Sequence, residues 1–189
     1  VVMALKQVNM RKLLSYHLIS QTGYMLTGIA IAGRLATAAG IFHLVNHVLY
    51  KGLLFMAAGC VIYSTGENSL TSTGKLYKKL PIVTVSALVG SLAIAGFPFF
   101  NGYLSKLLIK KSAGNDPVIV YGLLLTSIGT ILSFTKFMYY GFISGGKINL
   151  RRKPGLLMKI SMIAMVIVIL ILGIKPSIFE YIFNISASI

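Results

Sequence analysis

Three basic side chains fall at four-residue intervals: His43, His47 and Lys51. Successive steps of four on a helix drift by about 40 degrees, so all three share one stripe of one face. Histidine exchanges a proton near neutral pH. Burial makes a lysine easier to deprotonate because the charged form loses its hydration, and a nearby carboxylate reverses that effect. A file of such groups joined by water is a path for protons, with the charge on each site controlling the affinity of the next. The competing reading is a buried histidine pair satisfied by hydroxyls, with Lys51 in a structural ion pair. Three titratable groups on one stripe favour the path.

A fourth candidate, Lys106, stands four residues beyond Gly102 in Gly96-Phe97-Pro98-Phe99-Phe100-Asn101-Gly102-Tyr103-Leu104-Ser105-Lys106. Pro98 and Gly102 interrupt a helix and free backbone groups that hydrocarbon cannot satisfy, so the break is expected to line a hydrated cavity into which Lys106 points. Otherwise the second piece is a short surface helix and Lys106 an interfacial anchor. Lys136, in Ser133-Phe134-Thr135-Lys136, lies about seven residues from a helix end and within snorkelling reach, so transport and anchoring both remain open for it.

Such groups need apolar helices around them, and the composition supplies these. Of 189 residues, 56% are hydrophobic and 11% charged, about half the charged share of a soluble domain. A bilayer core takes about 20 apolar residues per helix. Proline, glycine and lysine divide the chain into five expected crossings: 13–33, 35–63, an interrupted span over 81–111, 117–143 and 156–173. The fold class expected is all-α, a polytopic transmembrane bundle with one broken helix. Residues 1–173 form the membrane domain, and 174–189 an interfacial tail. The opening stretch lacks the apolar core and small-residue cleavage site of a signal peptide, and a fragment or half of a larger protein is expected.

Eighteen Lys and Arg stand against three acids, for a net charge of +15. With a mean hydropathy of +0.84, this is not the hydrated basic face of a nucleic-acid binder. The charge follows the loops. Lys6, Arg11, Lys12, Lys75, Lys78, Lys79, Lys147, Arg151, Arg152, Lys153 and Lys159 fall on one side; Arg34, Lys110, Lys111 and Lys175 fall on the other. That asymmetry places the start of the segment in the cytoplasm. The acids Glu67, Asp116 and Glu180 lie outside or at the margins of the crossings, which suits protons better than direct sodium coordination. A single cysteine, Cys60, and three histidines make neither a disulfide nor a metal cluster. No catalytic residue and no metal ligand is expected.

Arg11-Lys12-Leu13-Leu14-Ser15-Tyr16 with Ser20-Gln21-Thr22-Gly23-Tyr24, then His43-Leu44-Val45-Asn46-His47-Val48-Leu49-Tyr50-Lys51-Gly52-Leu53-Leu54-Phe55, then Thr65-Gly66 with Gly74-Lys75-Leu76-Tyr77-Lys78-Lys79-Leu80-Pro81, and finally the segment around Pro98, follow one another over about 100 residues. In that order they resemble the antiporter-like subunits of respiratory complex I, of energy-converting membrane-bound hydrogenases and of multisubunit Na+/H+ antiporters. The resemblance implies two inverted repeats, each with a broken helix, of which this chain is the later. It also implies a central polar axis containing His43, His47 and Lys51, with Lys106 as the key titratable residue of the second half-channel. Several members carry an acid directly after that lysine, whereas Leu107 follows here, and Asn101 to Lys106 look more like the hydrogenase-type members. The resemblance further implies a prokaryotic cell (inner) membrane. Its partners would be other membrane subunits, the missing first repeat and hydrophilic subunits bearing flavin or iron–sulfur clusters, with no cofactor in this chain. The leading expectation is a proton-translocating subunit of a redox-driven complex. A Na+/H+ antiporter subunit and a purely structural membrane module are the alternatives.

Overall fold

Glycine, proline and short polar side chains set the helix ends. The computed structural model describes residues 1–114, 116–145, 150–175 and 177–183; Lys147 and the end of the expected tail lie outside them. A short α1 (Val2–Lys6) leads to α2 (Met10–Ala30), whose start is capped by the Asn9 side chain accepting from the Lys12 amide at 3.2 Å. Helix α3 (Arg34–Thr65) runs for 32 residues and stops at Gly66, whose φ of 78° is the left-handed cap glycine takes at little cost. After a single turn, α4 (Leu76–Lys79), Pro81 opens α5 (Pro81–Ala95), since a first helical residue needs no amide hydrogen. Helix α6 (Asn101–Ser112) follows the break. Asp116 then caps α7 (Pro117–Met138) by accepting from the Val118 and Ile119 amides, and α7 runs on into a π turn, Tyr139–Ile143. Helices α8 (Leu156–Ile174) and α9 (Ser177–Phe183) are the last described elements. The described residues hold no strand beyond one isolated bridge, Asn9 to Ser69.

Helix α3 is the axis of the bundle, packed by α2, α5, α6 and α8. Its approach to α2 is close. A Cβ on Gly28 would meet the Gly40 backbone at about 3.0 Å, the small-residue contact by which helices pack in membranes. Helix α9 also reaches α3, where Phe183 meets Phe42 edge-on at 6.2 Å.

The polarity is inverted relative to a water-soluble protein. His17, Gln21, His43, Asn46, Lys51, Asn101, Ser105 and Lys106 are buried, while Val118, Leu125, Leu156 and Ile167 face outward. Among the described residues, three helices are long and apolar enough to cross a membrane: α3, α7 with its π turn, and α8. Helix α5 is apolar but shorter. Helix α2 has 21 residues but carries Arg11, Lys12, His17 and Gln21 and is not among the three.

Candidate functional site

The break between α5 and α6 positions Lys106. Gly96 and Phe99 both take left-handed conformations, with φ of 79° and 70°, and turn the chain back so that the start of α6 lies against the end of α5. A Cβ on Gly102 would collide with the Ala93 carbonyl, so only glycine fits. In a continued helix, the Ile94 carbonyl would accept from the amide of residue 98, but that residue is proline and has no N–H. The Lys106 ammonium takes that place and donates to the Ile94 oxygen at 2.6 Å. Lys106 is 5% exposed, and its ammonium also lies 5.1 Å from the centre of the Tyr24 ring. The cavity beside the break, about 450 Å³, is lined by Gly96, Phe97, Thr135 and mainly apolar neighbours, not by Lys106. The freed carbonyl holds the lysine beside it.

Ser105, next to Lys106, joins the break to the stripe on α3. Its Oγ lies 2.8 Å from His43 Nδ1, and the other ring nitrogen of His43 lies 3.1 Å from Gln21 Oε1 on α2. The Tyr50 hydroxyl approaches the same nitrogen at 3.5 Å, the outer limit for a bond. His47 packs edge-on against Tyr50, with ring centres 5.5 Å apart. Lys51 is 4% exposed and donates to the Leu14 carbonyl of α2 at 2.7 Å, with the Phe55 and Phe134 rings about it. The three stripe residues and Lys106 thus share one buried interior. Lys136 does not join them directly. Half-buried, it donates to the carbonyls of Leu5 and Gln7 at 2.7 and 3.0 Å, where α1 ends.

When His43 Nε2 carries the hydrogen it donates to Gln21 Oε1, and the state of Nδ1 then depends on Ser105. When the ring is neutral, the hydroxyl donates to Nδ1. Once the ring gains a proton, Nδ1–H donates to Oγ and the hydroxyl can turn to the Gly102 carbonyl, 3.3 Å away. Both protonation states are therefore hydrogen-bonded without any helix moving.

His17, Gln21, Tyr24, Asn46, Asn101 and Ser105 were not singled out from the sequence. His17 stacks at 4.9 Å on Phe134. Its two ring nitrogens, Gln21 Nε2, both side-chain polar atoms of Asn46, His47 Nε2 and Asn101 Oδ1 are buried without a protein partner. Buried polar groups are rarely left unpaired, and water is their usual partner. Placing His17 and Gln21, four residues apart on α2, against the α3 stripe requires the docking of the two helices, which periodicity alone does not give.

Residues 1–133 match the family described as NADH:quinone oxidoreductase/Mrp antiporter, TM. An uncharacterised protein of Methanocaldococcus jannaschii is 45% identical over 141 residues, which cover 74% of this chain and 29% of that protein. A Na(+)/H(+) antiporter subunit of Alkalihalophilus pseudofirmus is 32% identical over the same shares. The chain therefore spans less than a third of the length of these relatives. Among solved structures, the Mrp complex from Dietzia sp. superposes with a TM-score of 0.88 at 24% identity, over 97% of this chain and 43% of that one. The membrane-bound sulfane sulfur reductase, an archaeal respiratory membrane complex, gives 0.85 at 25%, over 96% and 37%.

Proposed function

We propose, because the chain belongs to the NADH:quinone oxidoreductase/Mrp antiporter, TM family, that it is the later part of a proton-translocating subunit in a redox-driven membrane complex of the complex I or energy-converting hydrogenase kind. One observation carries this reading. Lys106, at a helix break, and Lys51, on the central helix, are both buried with backbone carbonyls as hydrogen-bond acceptors, and Ser105, bonded to His43, joins the break to the stripe.

A lysine that only held helices together would be served best by a carboxylate. One that must lose and regain its proton is better held by a carbonyl, which stabilises the ammonium less than a full negative charge does. Protons move along His43 and Ser105 by the change of hydrogen-bond direction described above, and along His17, Asn46 and His47 through water. Lys136 lies at the margin of this path, where it holds the end of α1 against α7.

Five crossings fit this role: α2, α3, the broken α5 with α6, α7 with its π turn, and α8. The excess of basic residues at the ends bearing α4 and the start of α8 supports a cytoplasmic start, in the membrane of a prokaryote. The first of two inverted repeats would supply the other half-channel. Separate hydrophilic subunits with flavin or iron–sulfur clusters would supply the energy.

The similarity to a Na(+)/H(+) antiporter subunit and the superposition on an Mrp complex support a second reading, a component of a multisubunit antiporter without redox partners. Sealed vesicles containing the whole complex separate the two. Proton uptake that begins on adding reductant and stops in Lys106→Ala supports the redox-driven reading. Proton movement driven by an imposed sodium gradient, with no reductant, supports the antiporter. Absence of both fluxes from an assembled complex would count against each.

A further inference from the structure

At the end of the bundle where α5 and α8 begin, a small cavity of about 130 Å³ carries Lys79, Lys153 and Lys159 around a floor that includes Leu80, Pro81 and Leu150. Pro81 and Ile82 also line a second cavity, of about 250 Å³, which continues along α5 and α8 between Val85 and Ile163 and has no charged residue in its wall. The two cavities share Pro81 and Ile82, so a cationic mouth adjoins an apolar groove between two helices that start at the same end.

We propose that this compound site binds one anionic phospholipid, with the phosphodiester between the three lysines and one hydrocarbon chain in the α5–α8 groove. The charges match in sign. Each lysine near a membrane surface contributes attraction for anionic lipid, and basic pockets between transmembrane helices are suited to such headgroups. The positive end of the α5 dipole lies at the mouth as well, since Ile82 and Val83 of its first turn are in the lining. A soluble phosphate would have no use for the groove, and a neutral lipid no use for the lysines, so the pair of cavities specifies a molecule that is both anionic and long-chained. Lys159 is half-buried on α8 while Lys79 precedes α5, so a bound headgroup would cross-link these helices on the flank of α3.

The test is native mass spectrometry of the detergent-purified complex. It is titrated with phosphatidylglycerol, with phosphatidylcholine of the same chains, and with glycerol 3-phosphate. We expect phosphatidylglycerol to be retained in preference to phosphatidylcholine, and glycerol 3-phosphate not to compete at equal concentration. The Lys79→Gln/Lys153→Gln/Lys159→Gln variant should bind phosphatidylglycerol roughly tenfold to hundredfold more weakly. Ile163→Trp, which fills the groove and leaves every charge in place, should weaken it as well. A control, Lys6→Gln/Arg11→Gln/Lys12→Gln, removes as many charges and should bind as the parent does. Equal retention by the parent and the lysine variant would overturn the site. So would competition by glycerol 3-phosphate together with full binding in Ile163→Trp, which would leave a headgroup site without a chain. Equal loss in the control would reduce the effect to net charge and overturn it too.

Discussion

The Lys106 ammonium lies 2.6 Å from the Ile94 carbonyl oxygen, in the place that the amide of residue 98 would hold had that residue not been proline. The break in the helix and the position of the lysine are therefore one feature. Proline withholds the donor, the carbonyl at the negative end of α5 is left open, and a side chain twelve residues later fills it.

If that lysine carries protons, losing the amine and losing its ability to deprotonate should have the same result. Lys106→Ala and Lys106→Arg should each lower proton uptake per turnover by tenfold or more while leaving the complex assembled on a native gel. Arginine keeps the charge and can still reach a carbonyl, but it does not deprotonate in proteins. Full pumping by the assembled Lys106→Arg complex would remove Lys106 from the path.

The hydroxyl of Ser105 offers a narrower test, since it bonds His43 Nδ1 at 2.8 Å. Ser105→Ala leaves that nitrogen buried without a partner, which costs about 1 to 3 kcal/mol for a neutral group and more for a charged one. Proton uptake should drop about tenfold, and Ser105→Thr, which restores the hydroxyl, should recover most of it. Unchanged uptake in Ser105→Ala would mean that protons do not pass this hydroxyl.

Pro81, Pro98 and Pro117, with Gly33, made helix ends readable, because these residues act on the local backbone and need no knowledge of the rest of the chain. The stripe of His43, His47 and Lys51 was readable for the same reason, being a property of helical spacing. What the stripe touches was not. Gln21 and Ser105 reach His43 from α2 and α6, 22 and 62 residues away in sequence, and His17 enters only because α2 docks on α3. The capture of Lys106 by Ile94 was half visible. Pro98 showed that a carbonyl would be freed, but only the reversal at Gly96 and Phe99 decided which group would answer it.

Gly96 holds that reversal with a φ of 79°, and a Cβ there would lie 3.0 Å from Lys106 Cδ. Gly96→Ala should cost about 1 to 2 kcal/mol for the left-handed backbone and displace the lysine as well. Gly96→Asn lessens the first cost, since asparagine tolerates that conformation, but keeps the second. Thermal unfolding of the complex should therefore fall further for alanine than for asparagine, while proton uptake falls in both. Normal uptake in Gly96→Asn would mean that the contact with Lys106 has no functional weight.

The expected topology can be checked in intact vesicles on a Cys60→Ala background. Ser72→Cys, in the exposed loop between α3 and α4, should react with a membrane-impermeant maleimide from the cytoplasmic face. Lys175→Cys, just after α8, should react from the other. Labelling of both from the same face would refute the five-crossing arrangement. Asn149 falls outside the described residues; a cysteine there should behave as Ser72→Cys does.

Lys136 provides the contrast that separates a path residue from an anchor. Its ammonium bonds the Leu5 and Gln7 carbonyls, closing the end of α1 against α7, and each hydrogen bond from a charged group is worth about 1.5 to 3 kcal/mol. Lys136→Met keeps much of the aliphatic stem and removes the donor, so the carbonyls lose a partner while the packing of α7 changes little. Heat stability should fall by a few degrees, and protease should cut more readily near residue 7. Proton uptake per turnover should stay within about threefold of the parent, well above that of Lys106→Ala. Lys136→Arg, which can still donate to both carbonyls, should recover the stability. If Lys136→Met instead matched Lys106→Ala in uptake, and arginine restored the stability but not the pumping, Lys136 would have to be counted among the groups that exchange a proton.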